Sequence, residues 1–278
     1  MTRYARRTRR TVQVTGVGVA ALLALSACSS GSDSSSKKGS SSASKDSAKK
    51  VTGTVTVFAA ASLKESFTTL GKDFEKAHPG TKVTFSFGGS DTLAASITGG
   101  APADVFAAAS PKTMAIVTDK KDGKGTATAP STFVRNQLEI ATLPGNPDKV
   151  ASLKDLTESG LKVVLCDKTV PCGAAAQKAL DAGKLKLTPV SYEQDVKSAL
   201  TKVELKEADA AVVYKTDVEA AGSKVEGVGF PESANAINDY PIALLKDAPN
   251  AEAAKEFIAL VQSPEGQKVL TAAGFLKP

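Results

Sequence analysis

Four short segments place hydrogen-bond donors where a predicted strand passes into a predicted helix. They are Ser62 after the apolar run VTVFAA, Ser90 after two glycines, Cys172-Gly173 after a proline, and Asp195-Val196 before an amphipathic stretch. In open α/β sheets, ligands bind beyond the carboxyl ends of the strands, where the first turns of helices present free N–H groups. If the four junctions converge, they form a cage of donors with partial positive charge. The pattern therefore predicts a site for an anion.

The side chains at these junctions also allow purely structural interpretations. Ser62 and Glu65 fit the S-x-x-E capping box, in which the hydroxyl caps the helix and contributes about 1 kcal/mol. Ser90 has the same ambiguity. Tyr214 ends the apolar run AAVVY, where a tyrosine commonly covers the core with its ring and keeps its hydroxyl at the edge. The local sequence leaves both roles open for these three residues.

Familiar enzyme motifs are missing from the sequence. Neither AAASL around Ser62 nor GGSDT around Ser90 matches the G-x-S-x-G nucleophile elbow. The one histidine, His78, lies in a HPG turn, far along the chain from any partner cysteine. No HExxH, Walker, zinc-type CxxC or Rossmann glycine motif occurs. A secreted thiol or serine hydrolase stays as an alternative without a base, and we predict a protein that is not an enzyme and needs no cofactor.

The first 27 residues predict a secretion signal, because arginines precede an uncharged stretch that ends in small residues. The apolar part is too short and too interrupted to favour a membrane-spanning helix. Leu25-Ser26-Ala27-Cys28 resembles a bacterial lipobox, which predicts lipidation of Cys28, whereas an ordinary signal cleaved elsewhere is the alternative. Residues 28–50, rich in Ser, Lys and Gly, predict a flexible tether. Thr8-Arg9-Arg10 leaves open whether export uses the Sec or the twin-arginine route.

Two further cysteines, Cys166 and Cys172, lie in LCDKTVPCG. In an exported, oxidising setting the natural interpretation is a disulfide, which would contribute about 2 kcal/mol by the loop-entropy model. The alternative is a reactive Cys172 at a helix start, where thiol pKa values fall.

The net charge of +6 is concentrated outside the predicted folded part. Residues 1–27 hold five arginines and no acid, so their removal leaves +1. The tether holds five lysines and two aspartates, or +3, which leaves residues 51–278 at −2. Arg135 is the only arginine beyond the signal. A nucleic-acid partner is therefore excluded, and the predicted anion site does not use a cluster of arginines.

From Val51 onward, apolar strands alternate with amphipathic helices, which predicts an α/β fold with mainly parallel sheets. Strands are predicted at 54–60, 82–87, 104–108, 133–142, 162–166, 187–191, 210–214, 225–229 and 240–245. Helices are predicted at 63–77, 92–97, 153–158 and 196–203, after Ser110, Cys172 and Tyr214, and twice at the end of the chain.

Seven segments together resemble the periplasmic molybdate-binding proteins of ABC transporters. They are VTVFAAASL, FGGSDTLA, GAPADVF, VPCGAAAQKAL, EQDVKSAL, AAVVYKTD and YPIALL. The resemblance covers Val55 to Pro278 and implies a two-lobed periplasmic-binding-protein fold of type II. Each lobe would be a mixed, mostly parallel sheet flanked by helices, with the ligand in the cleft between the lobes. The implied lobes are 51–131 plus 235–278, and 132–234.

The resemblance also implies the ligand contacts. Ser62 and Ser90 would each give a hydroxyl and a backbone N–H, Cys172 and Val196 a backbone N–H, and Tyr214 its phenol. The metal of molybdate would not be ligated directly. Many relatives have alanine where Cys172 stands, but an amide donor works from any residue except proline. Asp91, beside Ser90, is expected to face outward, because an inward carboxylate would repel a dianion.

The implied function is capture of molybdate, with tungstate bound similarly, and delivery to an ABC permease and its ATPase. A site made only of donors accepts a dianion without a proton and rejects protonated phosphate, since a buried O–H would find no acceptor. Sulfate obeys the same rule, so a sulfate-preferring protein is the alternative. We expect a monomer held outside the cell membrane by palmitate-type chains on Cys28, and a disulfide that stiffens the loop presenting the Cys172 amide.

Overall fold

The computed structural model describes residues 51–119, 125–158 and 160–278. The predicted signal peptide, Cys28 and the tether lie outside the described residues. In the described part, no helix is both long enough and apolar enough to span a bilayer. The described chain builds two mixed sheets of five strands each.

The first sheet contains three parallel strands from the beginning of the described chain and two strands that come later in the sequence. Its members are β1 (Gly53–Ala60), β2 (Thr81–Gly88), β3 (Val105–Ala107), β4 (Ser131–Asn136) and β10 (Asn238–Leu244). Strand β1 is parallel to β2 and to β3, whereas β10 is antiparallel to β3 and to β4. The carboxyl ends of β1 and β2 therefore meet at one edge.

The second sheet repeats this plan. Its members are β5 (Leu138–Thr142), β6 (Val163–Cys166), β7 (Ser191–Glu193), β8 (Ala210–Tyr214) and β9 (Glu226–Val228). Strand β6 is parallel to β7 and β8, and β5 is antiparallel to β8 and β9. Both sheets are mixed, as the resemblance implies.

Helices cover both sheets. They are α1 (Lys64–Ala77), α2 (Ser90–Thr98), α3 (Pro111–Thr118), α4 (Pro171–Ala182), α5 (Val196–Glu204), α6 (Lys215–Ala221), α7 (Ala251–Gln262) and α8 (Pro264–Ala272). Helices α4, α5 and α6 pack against the second sheet, and the others against the first sheet or against one another. In α1 the apolar positions Phe67, Leu70 and Phe74 recur at helical spacing and are buried. Phe67 and Phe74 pack edge-on against Phe257 of α7, and these contacts hold α7 against α1.

Three predicted elements were wrong in extent. The single strand predicted at 133–142 is two strands, β4 and β5, which belong to different sheets. The predicted helix at 153–158 is one 3₁₀ turn, Asp155–Thr157, because the Asp155 carboxylate accepts from the N–H groups of Ala151 and Ser152 and closes a local turn. The strand predicted at 187–191 begins only at Ser191, because Pro189 has no N–H to give to a ladder.

Each sheet with its helices forms one lobe, and the chain passes between the lobes twice. By strand pairing, the first crossing lies at Gln137, between β4 and β5, a few residues beyond the sequence-based limit at 131/132. The return precedes β10 and follows a 3₁₀ segment, Pro231–Ala236. The residue limits of the lobes stay a prediction, but two neighbouring connections of this kind suit a hinge.

Candidate functional site

A small cavity lies between the two lobes, at the carboxyl ends of β1, β2 and β8. Its volume is about 20 Å³, counted as the space open to the centre of a water molecule. A sphere of that size has a radius of about 1.7 Å, and the wall atoms stand about one water radius farther out. The resulting space, about 3 Å in radius, fits an ion of a few atoms.

All five residues predicted to contact the ligand line this one cavity. Ser62 and Ser90 come from the first lobe, and Cys172, Val196 and Tyr214 from the second. All five are buried. The remaining walls are formed by Ala60, Ala61, Gly88, Gly89, Ala109, Val170, Pro171 and Asp195. The four strand-to-helix junctions therefore do converge, although no bound ligand assigns a role to any residue.

Ser62 does not cap α1. It lies in a 3₁₀ turn, Ala61–Leu63, the N-cap of α1 is Leu63, and no side chain caps that helix. The capping-box interpretation is therefore wrong. The Ser62 Oγ instead lies 2.8 Å from the Tyr240 Oη of β10. Its hydroxyl reaches the cavity because the extra 3₁₀ turn moves the helix start one residue along the chain.

Ser90 opens α2, and its Oγ accepts a hydrogen bond of 3.0 Å from the Ala109 N–H. The cap of α2 is Gly89, which has no side chain to offer. Asp91 does not line the cavity, as expected. One of its oxygens, Oδ1, is nevertheless enclosed and meets no hydrogen-bond donor in the described part of the chain.

Cys172 lies in the first turn of α4, directly after Pro171. It forms a disulfide with Cys166 at the end of β6, with the two Cα atoms 5.8 Å apart. The free-thiol alternative therefore does not hold in this structure. The next residue, Gly173, has to be glycine, since a Cβ there would lie 1.9 Å from the Asp167 carbonyl oxygen. The disulfide loop thus packs directly against the helix start.

Val196 begins α5, and Asp195 caps that helix. The Asp195 carboxylate accepts from the N–H groups of Lys197 and Ser198 and from the Ser198 hydroxyl. The Val196 N–H does not take part in this cap. The Asp195 carboxylate is hydrogen-bonded to donors of α5. This explains how an aspartate can border an anion cavity.

Four backbone N–H groups have no acceptor within hydrogen-bonding distance among the described residues. They belong to Ser62, Ser90, Cys172 and Val196. First-turn amides lack intrahelical acceptors, and buried N–H groups cost free energy when they stay unpaired. An acceptor from a ligand would satisfy all four.

Tyr214 ends β8 with its side chain fully buried. Its Oη accepts a hydrogen bond of 2.7 Å from the Asn238 Nδ2, and its ring packs edge-on against Tyr240. Burial raises the pKa of Tyr214 well above its ordinary value of 10. The phenol is therefore neutral at physiological pH, and since Tyr214 both packs in the core and lines the cavity, its two interpretations are compatible.

The charged groups nearest the cavity are Asp195, which lines it and caps α5, and an ion-paired lysine beside it. Lys197 Nζ lies 3.0 Å from Glu65 Oε2 of α1 and 3.2 Å from Asp217 Oδ1 of α6. Burial raises the pKa of Asp217 to about 6, although the Lys197 ammonium lowers it. Arg135 pairs with Asp239 on the surface and does not line the cavity. Apart from the capping Asp195, the cavity is thus lined by uncharged residues and helix starts.

Sequence reasoning missed the residues behind the cavity. Asn136 is buried at the end of β4, and its Nδ2 donates to the Thr216 Oγ1 at 2.8 Å and to the Tyr240 Oη at 3.3 Å. Asn238 holds the equivalent place at the start of β10. A polar residue inside an apolar strand is the signal that could have found them, because buried amides need partners.

Fold and cavity together define a two-lobed binding protein with a small cavity between its lobes. Among the described residues, no group of three or more His, Cys, Asp or Glu is placed to hold a metal ion.

Comparisons with known proteins agree with this class. Residues 55–276 match the family model described as bacterial extracellular solute-binding protein. The molybdate-binding protein ModA of Mycobacterium tuberculosis is 41% identical over 265 residues, which cover 95% of this chain and 97% of that protein. The protein of the same name from Escherichia coli is 34% identical over 236 residues, covering 80% and 89%.

Solved structures show the same fold. The periplasmic molybdate-binding protein of Azotobacter vinelandii aligns with a TM-score of 0.70 at 21% identity, over 81% of this chain and 99% of that chain. The sulfate-binding protein SubI of Mycobacterium tuberculosis aligns with a TM-score of 0.65 at 18% identity, over 80% and 86%. The chain belongs to the family of bacterial extracellular solute-binding proteins.

Proposed function

We propose that this protein captures molybdate outside the cell membrane and delivers it to an ABC permease and its ATPase, with tungstate bound similarly. The observation that carries the proposal is the small cavity between the lobes, where unpaired N–H groups and neutral hydroxyls from both lobes meet at one ion-sized space. The names of the relatives at 41% and 34% identity support molybdate as the ion.

The donor set suits this ion. Molybdate at neutral pH carries two negative charges and no proton, so it can accept hydrogen bonds from every side. The starts of α2, α4 and α5 add partial positive charge without a counter-ion. Because no lysine or arginine lines the cavity, no cationic side chain has to be desolvated there when the lobes close on the ion.

Sulfate is the second candidate, because it is also a tetrahedral dianion without a proton at neutral pH. The likeness to the sulfate-binding protein is at 18% identity and concerns the fold. The molybdate-binding relative from Mycobacterium tuberculosis, at 41%, shares more than twice that identity, so we place molybdate first.

A thermal-shift panel with molybdate, tungstate, sulfate and phosphate tests the proposal. A ligand at a hundredfold its dissociation constant adds about 2.7 kcal/mol to the free energy of unfolding. We expect the larger shifts with molybdate and tungstate and none with phosphate. No shift with molybdate, or a larger one with sulfate, overturns the choice.

Ser62→Ala links the panel to the cavity. The variant removes one donor, and calorimetry should show molybdate binding weaker by about 1–3 kcal/mol. Ser66→Ala is the matched control, since the Ser66 hydroxyl donates to the Leu63 carbonyl and lies outside the cavity. Equal affinities for the two variants would remove Ser62 from the site.

The same proposal includes the anchor. Lipid chains on Cys28 and the tether would keep the monomeric protein near its permease, which raises the effective concentration. One acyl chain holds only marginally, so more than one is expected.

A further inference from the structure

The orientation of the Asn238 amide is set by its neighbours. Its Nδ2 faces the Tyr214 Oη at 2.7 Å and the Pro171 carbonyl oxygen at 3.4 Å. A carbonyl only accepts hydrogen bonds, so the NH₂ group, and not the amide oxygen, must face this side. The Tyr214 oxygen therefore accepts from Asn238. Its single proton is left to donate elsewhere, either into the cavity that Tyr214 lines or to the Tyr240 hydroxyl beside it, and an anion in the cavity attracts it.

The Asn136 amide is oriented in the same way. Its Oδ1 accepts from the Gln137 N–H at 3.0 Å, which turns the NH₂ group toward Thr216 and Tyr240. The Tyr240 oxygen accepts from Asn136 at 3.3 Å. The Ser62 Oγ lies 2.8 Å from the Tyr240 Oη and can accept the Tyr240 proton. If Tyr240 donates to Ser62, the Ser62 proton is free to point into the cavity. An anion in the cavity favours this arrangement, because it attracts the proton of Ser62.

Ser90 shows the same logic with a backbone donor. Its Oγ accepts from the Ala109 N–H at 3.0 Å, so its proton is also available to the cavity. Each of the three cavity hydroxyls thus has a donor behind it.

We propose that three residues behind the cavity are positioning residues that hold the hydroxyls of Ser62 and Tyr214 as donors toward the bound anion. They are Asn136, Tyr240 and Asn238, and none of them lines the cavity. Asn136 ends β4 and Asn238 begins β10, so both amides lie at the crossings between the lobes. The residues at the two crossings therefore also determine where the hydroxyl protons of Ser62 and Tyr214 point.

This inference deepens the proposed function and rests on it. Hydroxyls can donate or accept, so two unsupported hydroxyls would accommodate a protonated anion such as hydrogen phosphate. With one donor fixed behind each hydroxyl, a single lone pair is left, so acceptance of the ligand's proton is disfavoured. The supporting layer would thus make the selection for fully deprotonated dianions, beyond what the backbone N–H groups provide.

A double-mutant cycle tests the link from Tyr240 to Ser62. Tyr240→Phe removes one oxygen outside the cavity and should weaken molybdate binding about tenfold by calorimetry. In the Ser62→Ala background, the same change should cost less than about twofold, because the hydroxyl that it positions is gone. A merely structural role of Tyr240 would give the same loss in both backgrounds.

Asn238→Asp tests the second link by selectivity. The new carboxylate accepts the Tyr214 proton and turns the lone pairs of the phenol toward the cavity. We expect molybdate affinity to fall at least about tenfold while hydrogen phosphate affinity holds or rises, so that the ratio of the two falls. Gln137→Glu is the matched control. It makes the same amide-to-carboxylate change beside the first crossing, where the side chain contacts Ser233 and no cavity hydroxyl.

Thermal unfolding without ligand shows whether each variant is folded. The cycle and the selectivity test use different variants, so each can be carried out without the other. Coupling in the first cycle, or a lowered ratio in Asn238→Asp with an unchanged ratio in Gln137→Glu, supports the inference. Additive losses together with an unchanged ratio overturn it while the proposed function stands. Absence of molybdate binding by the wild-type protein overturns both.

Discussion

At the scale of single residues, the neutral cavity contrasts with the charged group beside it. Asp217 is fully buried, and its carboxylate accepts from the Tyr214 N–H at 3.3 Å, so it holds the start of α6 next to the cavity phenol. Lys197 neutralises it, and Glu65 lies on the far side of the same lysine. Removing one partner from such a buried pair is costly, because the other charge is left uncompensated.

The raised pKa of Asp217 predicts a pH dependence of stability. Between its ordinary pKa of 3.8 and about 6, the folded protein binds a proton that the unfolded chain releases. The free energy of unfolding should therefore fall as the pH rises through this window and stay level above it, by about 3 kcal/mol in total. The contribution of Lys197, whose pKa is raised above 10.5, is constant over this range.

Chemical denaturation of wild type and Asp217→Asn at pH 4, 5, 6 and 7 measures this contribution. The difference between the two proteins isolates Asp217, because the other carboxylates are common to both. The wild type should lose stability relative to the variant as the pH rises. A gain would mean that the folded pKa of Asp217 lies below its ordinary value.

At the scale of elements, the start of α4 depends on the loop before it. The Cys166–Cys172 disulfide closes that loop. Gly173 packs so closely against the Asp167 carbonyl that the loop has no room for a side chain at residue 173. Two constraints from neighbouring residues thus hold the Cys172 amide toward the cavity.

Reduction of the disulfide should weaken molybdate binding, because the loop would have to be ordered on binding. It should also lower the free energy of unfolding by about 2 kcal/mol in the loop-entropy model. Calorimetry with and without reductant measures the first effect, and the Cys166→Ser/Cys172→Ser variant, insensitive to reductant, is its control. Unchanged affinity after reduction would show that helix packing alone positions the amide.

At the scale of the whole molecule, two contacts between the lobes define the closed form. One is the ion pair from Lys197 of α5 to Glu65 of α1. The other is the approach of Gly89 to Gln194, where a Cβ on Gly89 would lie 2.7 Å from the Gln194 carbonyl oxygen. Because this carbonyl belongs to the backbone of the second lobe, the glycine is needed for closure.

Gly89→Ala should therefore hinder closure without harming the first lobe by itself. The φ of −58° and ψ of 131° at Gly89 suit alanine, and the nearby Asp91 side chain can move. We expect molybdate affinity to fall about tenfold or more while the thermal stability of the ligand-free protein is unchanged. Gly229→Ala, with open space around the added methyl group, should change neither. A loss of ligand-free stability in Gly89→Ala would show that the effect is not specific to closure.

Local patterns predicted most of the elements of this fold. The helical spacing of Phe67, Leu70 and Phe74 and the apolar runs of β1 and β8 were sufficient, because burial of a face imposes its period on the sequence. They failed at 133–142, where an unbroken alternating run crosses between two sheets at Gln137. Alternation reports that a strand has a buried face, but not which sheet buries it.

The sequence by itself determined the α/β class and, through the resemblance, named five residues that line one cavity. Tertiary structure alone decided the hydrogen-bond partners of the Ser62 and Tyr214 hydroxyls, because those partners are distant in the sequence. The deciding partners, Tyr240 and Asn238, lie 178 and 24 residues away. Such contacts follow from how the two crossings bring β4 and β10 together, and no local pattern encodes that.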